Sequence, residues 1–320
     1  KNSGKTDLNY RKKMAEKSFK LTFEYDQKVY SWLAQKNTQT DIKLRYGENP
    51  DQRAILQKPM GRSFVDYQIQ GREISYNNIL DIDSGLDFLS EFSEPTTVIV
   101  KHNNACGVAS SNLIKKSFIK AFDSDKKSAF GGVVLTNKKI GEELAKLIVK
   151  NFFEVLVSPG FTKSALQILS KRKNLILIDS IKIPKTNKKT TKSVRMGTLI
   201  QKNNNLKLSM KNFSVVSKNT KISQKEKDDI LFAFKVVKHI KSNAIVLVKN
   251  KQTVGIGAGQ MNRYDATKLA VMKYKENFSI KDLVCASDAF FPFVDSLKLL
   301  MKNNCYCIVE PNGSINDNKI

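Results

Sequence analysis

The chain has 320 residues, 41% of them hydrophobic, and a formal net charge of +25. That length exceeds one small core and suits two domains of ordinary size, while the apolar share excludes a chain disordered throughout. No run of 18 or more apolar residues occurs and Lys1–Tyr10 is polar, which excludes a membrane-spanning helix and a signal peptide in this stretch. Lys1 stands where a complete chain would have Met, so we expect a piece of a longer protein.

The charge invites a nucleic-acid reading, and a basic nucleic-acid-binding protein is the alternative function to weigh. Its composition argues against that. Arginine supplies eight of the 55 basic residues and lysine 47, whereas base and phosphate recognition leans on the bidentate guanidinium. The lysines are spread along the chain, and their expected consequence is attraction for small anionic substrates. The cysteines Cys106, Cys285, Cys305 and Cys307 form no Cys-x-x-Cys pair. Reduced thiols in a cytoplasmic protein fit them better than a zinc site or a disulfide framework.

Residues 1–36 repeat apolar positions at helical spacing up to Trp32 and Leu33, and polar Lys36–Asp41 breaks the pattern as a candidate boundary. Gly47 and Asn49-Pro50 then mark a turn beside Arg45 and Tyr46, a pair able to grip a phosphate and stack on a ring; on this motif alone an exposed turn is the favoured reading. A helix follows with Ile82, Leu86 and Leu89 on its apolar side. Thr96–Val100 is a buried strand that delivers Lys101 and His102 into a polar turn expected to end at Gly107. Ligands of open α/β sheets sit at such strand ends, and His102 is one of two histidines; a solvated loop is the competing reading.

Leu113–Phe122 reads as a helix, Ser128–Gly132 as a loop whose glycines admit a ligand or simply turn, and Val133–Leu135 as a strand. Helix, strand, helix and strand follow at 140–151, 155–157, 166–169 and 175–178, an alternation that implies α/β layering. Residues 181–194 look like a linker and 195–201 a short strand. Asp228–Ile240 is a helix with His239, read as structural, in its last turn; Asn243 lies at the junction with strand Ala244–Val248. Gly255, Gly257 and Gly259 precede a helix from about Met261 to Lys275 and can offer amides to an anion, without the dinucleotide spacing. Strand Leu283–Ala286 leads to Phe290, Phe291 and Phe293, flanked by Asp288 and Asp295, either core or pocket wall; Cys305–Val309 is the last strand.

The stretches LRYGENPDQRA, ISYNNILDID, KHNNACGVA, SAFGGVV, HIKSNAIVLVKN, VGIGAGQMNR, SDAFFPFVDS and VEPNGS run in that order from residue 44 to 314. Together they resemble the family of bifunctional purine biosynthesis proteins, in their aminoimidazole carboxamide ribonucleotide (AICAR) transformylase part. The resemblance implies an α/β protein of two cytidine deaminase-like α/β/α layers, metal-free, with a short helical N-terminal remnant. Residues 1–40 would be the tail of an IMP cyclohydrolase domain, 41–205 a first transformylase domain completed by 283–320, and 206–282 a second. The deaminase zinc motif is absent.

The implied reaction moves a formyl group from 10-formyltetrahydrofolate, a co-substrate, to the 5-amino group of AICAR. That amine is a poor nucleophile, so the reaction needs a base and a polar site for the developing oxyanion. By resemblance His102 is the base, Lys101 stabilises the oxyanion or protonates the leaving nitrogen, and Asn243 orients the carboxamide. Arg45, Tyr46, Phe130, Gly131, Phe290 and Asp295 bind the nucleotide, and Glu154 lies near the folate. A homodimer with sites at the subunit interface, no nucleic acid and no membrane complete the implication. Adjacent strand residues point to opposite faces, so Lys101 and His102 serve one pocket only if the chain leaves strand geometry there or a second subunit helps. The chain ends at Ile320, before a segment in which the family carries a phosphate-binding arginine; Val294 and Asp51 stand where Arg and His are common.

Overall fold

A computed structural model of the chain describes residues 4–33, 41–57, 62–184, 189–204, 206–217 and 221–313. It forms two compact units, Lys1–Lys43 with Ile55–Ser63, and Leu44–Ala54 with Phe64–Ile320. In the first, the expected N-terminal helix is α1, Leu8–Leu33, and the strands β1, Ile42–Lys43, and β2, Ile55–Leu56, pair antiparallel. Most of the expected break at 36–41 lies outside the described residues.

The second unit runs β3 (Gln68–Gln70), α2 (Tyr76–Ser90), β4 (Thr96–Lys101), β5 (Asn104–Ser110), α3 (Ile114–Ser124), α4 (Lys126–Ala129), β6 (Val133–Thr136), α5 (Glu142–Ile148), β7 (Val155–Ser158), α6 (Lys163–Leu169) and β8 (Ile176–Asp179). It continues with β9 (Lys189–Val194), β10 (Gly197–Lys202), α7 (Gln224–Val237), β11 (Ile245–Val248), β12 (Thr253–Gly257), α8 (Arg263–Asn277), β13 (Leu283–Ser287), α9 (Val294–Lys302) and β14 (Cys305–Val309).

One sheet has six strands in the order β3-β8-β7-β6-β4-β5, another four in the order β12-β11-β13-β14. In the first, β6, β7 and β8 are parallel and the strands outside them antiparallel. Strands β4, β6 and β7 are buried throughout or nearly so, because helices cover both faces and each strand is apolar on both. Ile99, Val134, Leu156 and Leu177 face a core made with Phe118 of α3, Leu144 and Ile148 of α5 and Leu169 of α6. On the other face α2 packs on β4 and β6. Its Gly85 is the contact point, since a Cβ there would lie 2.2 Å from a Leu135 methyl. The second sheet repeats the arrangement, with Ile245, Leu247, Val254 and Cys285 against α8 and α9, and α7 packed on β11 and β13.

Three expectations are corrected here. The closing strands do not rejoin the first layer: β13 pairs antiparallel with β11 and parallel with β14. Leu283–Ser287 is buried on both faces, and only a central place between two strands satisfies such a segment. The supposed linker at 181–194 holds half of a hairpin, β9 with β10, joined through Arg195–Met196 and exposed on both sides; its Thr and Val residues favour strand despite the lysines, and 185–188 lie outside the described residues. Gly255 and Gly257 are strand residues, not an amide-baring loop. Cβ atoms there would lie 2.2 and 1.9 Å from the Ala270 and Ala266 carbonyl oxygens, so the glycines let α8 approach β12.

The two sheets meet along β5 and β12. Ala109 bridges Gln252, Thr253 Oγ1 accepts from the Val108 amide at 2.9 Å, and Ser124 Oγ donates to the Thr253 carbonyl at 2.6 Å.

Candidate active site

The polar turn after β4 is two residues long and does not extend to Gly107. β5 restarts at Asn104, and Gly107 lies inside it opposite Ile99, where a Cβ would sit 1.9 Å from the Ala121 carbonyl oxygen of α3. His102 and Asn103 take φ of 53° and 61°. A two-residue hairpin needs positive φ at both central positions, and Asn and His tolerate it better than most residues. The chain therefore leaves strand geometry at His102, which frees its side chain from the alternation that would oppose it to Lys101.

The doublet divides. Lys101 Nζ donates to the Phe130 carbonyl at 2.6 Å, just after α4, whose last residues Ser128 and Ala129 are helical rather than part of the expected 128–132 loop. His102 lines a cleft of about 540 Å³ with Glu48, Asn49, Asn77, Asp81, Asn104 and Lys241 among its walls. Among the ten residues expected at the site, His102 is the one that lines this cleft. The other nine are not among its lining residues.

Arg45 and Tyr46 belong to a closed loop: the Leu44 amide bonds the Ala54 carbonyl at 3.0 Å and the Gly47 amide the Gln52 carbonyl at 2.7 Å. Asn77 of α2 donates to the Glu48 carbonyl at 3.0 Å, which brings this loop to the cleft. Arg45 bonds the Tyr46 hydroxyl at 3.0 Å and lies 4.8 Å from that ring's centre, while its buried Nε has no hydrogen-bond partner. A half-buried guanidinium with a spare donor suits an anion.

Asn243 follows a cis Ser242–Asn243 peptide, and its Nδ2 donates to the Gln260 carbonyl at 2.8 Å. Asp288 accepts from the Ala244 amide at 2.8 Å and pairs with Arg263, which anchors this junction to α8. Burial works to raise the Asp288 carboxyl, but hydrogen bonds from Ser242, the Ala244 amide and Arg263 outweigh it and hold it below the usual carboxylate range. The phenylalanine run splits. Phe291 is wholly buried in the second core, while Phe290 and Phe293 are exposed, and exposed Asp295 sits in the first turn of α9.

Phe130 is 62% exposed, its ring 5.0 Å from Phe152, and the Gly131 amide bonds the Phe152 carbonyl at 2.9 Å. Gly131 has φ 71°, which only glycine adopts freely, and a Cβ there would stand 4.0 Å from Lys101 Nζ. Glu154 is engaged by Arg72 at 2.9 Å and Asn78 at 3.0 Å, so it has fewer lone pairs to offer a ligand than its sequence position suggests. The other histidine, His239, contacts Glu91 Oε1 through Nε2 at 3.0 Å and lies 5.2 Å ring to ring from Phe88.

The sequence reading gave Asp81 and Asn104 no role. Asp81 Oδ1 accepts from the Asn103 amide at 2.6 Å, Ser84 Oγ donates to the Asn103 carbonyl at 3.3 Å, and Asn104 Oδ1 accepts from the Lys241 amide at 3.1 Å. Asp81 had a readable signal. With Asn78 it sits in the stripe of α2 that also holds Ile82, Gly85 and Leu89, a buried face where polar residues need a reason. Among the described residues no group of three or more His, Cys, Asp or Glu is placed to hold a metal ion, and no helix is long and apolar enough to cross a membrane.

The chain is 40% identical to the bifunctional purine biosynthesis protein PurH of Acetivibrio thermocellus, over 95% of this chain and 62% of that protein. It is 41% identical to the protein of that name from Fusobacterium nucleatum, over 97% and 64%, and 39% to that of Caldicellulosiruptor saccharolyticus, over 99% and 65%. It thus spans slightly under two thirds of the length of these relatives. The nucleic-acid alternative gains nothing from these matches. A family model described as AICARFT/IMPCHase bienzyme matches residues 1–273, and with these relatives it shows that the chain belongs to the AICARFT/IMPCHase bienzyme family.

Proposed function

We propose that this chain carries the AICAR transformylase activity of a bifunctional purine biosynthesis protein: formyl transfer from 10-formyltetrahydrofolate to the 5-amino group of AICAR. The parent protein would also be an IMP cyclohydrolase, acting in the cytoplasm as a homodimer with sites at the subunit interface. The observation that carries the reading is the His102 turn at the end of a buried strand, opening on a cleft walled by the loop after Arg45-Tyr46 and by Lys241. The family match supports it. The cytidine deaminase-like layering, and a boundary between the two transformylase halves near residue 205, belong to the same proposal.

The chemistry follows from the side chains. The AICAR amine loses a proton as it attacks the formyl carbon, and His102 takes it. Lys101 keeps two ammonium hydrogens beyond the one on the Phe130 carbonyl, for the oxyanion or the departing folate nitrogen. Arg45 takes the phosphate on its free Nε, Tyr46 supports it, and Asn243 orients the carboxamide. Phe130, Gly131, Phe290 and Asp295 wall the nucleotide, and Glu154, through its Arg72 pair, borders the folate side. Purified protein is expected to formylate AICAR with 10-formyltetrahydrofolate, and the His102→Ala variant to lose at least about 100-fold in kcat. Wild-type protein that binds both substrates without formyl transfer overturns the proposal.

A further inference from the structure

The turn that presents His102 has a twin. Between β11 and β12, Asn250 and Lys251 take φ of 51° and 54°, as His102 and Asn103 do at 53° and 61°. Each turn is met by an aspartate from a helix packed on its own sheet. Asp229 of α7 accepts from the Asn250 amide at 2.9 Å and the Lys251 amide at 2.7 Å. Asp81 of α2 accepts from the Asn103 amide at 2.6 Å; burial raises its carboxyl, and the Asn103 and His102 amides oppose that only in part. The aspartates occupy equivalent places, each six residues after a serine N-cap that closes a capping box, Ser75 in α2 and Ser223 in α7. Both are buried, at 7% and 3% exposure. Two successive left-handed residues turn their amides toward one side and form a small anion-binding nest, which here takes a carboxylate of the protein itself.

The two turns differ in what surrounds them. The Asn250–Lys251 turn is spent on the seam between the sheets: its carbonyls accept from Lys120 Nζ at 2.9 Å and the Ser110 amide at 2.9 Å. The His102–Asn103 turn faces the cleft, and Asn104 ties it to the Lys241 amide, two residues before Asn243. We propose that Asp81 is a positioning residue for formyl transfer, fixing the backbone of the His102–Asn103 turn so that the imaginable wanderings of a two-residue loop are closed off and the imidazole stays in the cleft beside Lys241. The inference rests on the function proposed above, and Asp229 provides its internal control. Asp229 makes the same kind of contact at a turn whose one titratable side chain, Lys251, is paired with Glu94 at 3.1 Å and Asp228 at 3.6 Å.

The test compares Asp81→Asn and Asp229→Asn with the wild type, measuring AICAR formylation at saturating 10-formyltetrahydrofolate, thermal stability and amide hydrogen exchange. Misplacing a reacting group by about 1 Å costs on the order of 100-fold. Asp81→Asn is therefore expected to lower kcat about 10- to 100-fold with the KM for AICAR within about two-fold. Asp229→Asn is expected to lower stability with kcat within about two-fold of wild type. Unchanged kcat in Asp81→Asn, or an equal loss in Asp229→Asn, overturns the assignment. If the wild type does not formylate AICAR, the functional reading fails instead, and hydrogen exchange still decides the contact. His102 and Asn103 amides exchanging about ten-fold faster in Asp81→Asn support it, and unchanged exchange overturns it. Should the variant not fold, a crystal structure of the wild type decides: a carboxylate within about 3.2 Å of the Asn103 amide upholds the contact, and one turned away from it ends the proposal.

Discussion

Gly107 shows how one missing methyl group shapes the site. A Cβ there would collide with the Ala121 carbonyl oxygen at 1.9 Å, and neither β5 nor α3 can yield without moving the hairpin that ends in His102. Gly107→Ala is expected to destabilise the fold by about 1–3 kcal/mol, read as a lower denaturant midpoint with an unchanged slope. Gly257, with 1.9 Å to the Ala266 carbonyl oxygen, predicts a similar loss in the second sheet. Neither effect depends on φ; both come from the closeness of a helix backbone to a strand. The sequence offered these glycines as turn or ligand-loop residues, because spacing alone does not separate a glycine that bends the chain from one that lets two backbones touch.

At the scale of elements, the strands were the most legible part. Val98–Val100, Val155–Val157 and Cys305–Val309 are runs of β-favouring residues with little to confuse them, and all three are strands in the structure. β5 was hidden because Asn-Ala-Cys-Gly carries polar and small residues that read as a loop; its partners across β4 hold it in the sheet. β9 was hidden by lysines on exposed positions. α9 was hidden by the phenylalanine run before it, which drew attention to a pocket rather than to the helix starting at Val294. At the site, the turn itself was legible from Lys101-His102-Asn103-Asn104, but its length and its aspartate clamp were not, since both depend on what α2 places beneath it. The left-handed pair makes a direct prediction. Asn103→Val, a β-branched residue forced to φ near 61°, is expected to cost about 1–2 kcal/mol, and Asn103→Gly to cost less, measured by thermal unfolding.

For the second unit as a whole, buried ion pairs join its two sheets' helices. Glu91 after α2 meets Lys238 at 2.6 Å and His239 at 3.0 Å beyond α7, and Asp125 before α4 pairs with Lys273 of α8. Burial works to raise the Glu91 carboxyl, and bonds from His239 and Lys238 outweigh it; burial likewise opposes Lys273 and Ser128 at Asp125, and again loses. Both carboxyls end below the usual carboxylate range. A depressed folded pKa contributes stability that is fully present above the unfolded value and is lost as pH falls through the folded one. Thermal stability is therefore expected to hold from neutrality down to about pH 4–5 and to fall below it, and Lys273→Met should flatten that acid limb while lowering stability near pH 7 by up to about 3 kcal/mol. A thermal midpoint flat down to pH 2 would contradict this.

Function is the claim that all of this geometry serves, and one assay addresses it directly: AICAR formylation by the purified protein with 10-formyltetrahydrofolate, wild type beside His102→Ala. The account predicts turnover in the wild type and a loss of at least about 100-fold in the variant, with AICAR still bound. A His102→Ala protein that turns over at the wild-type rate contradicts it.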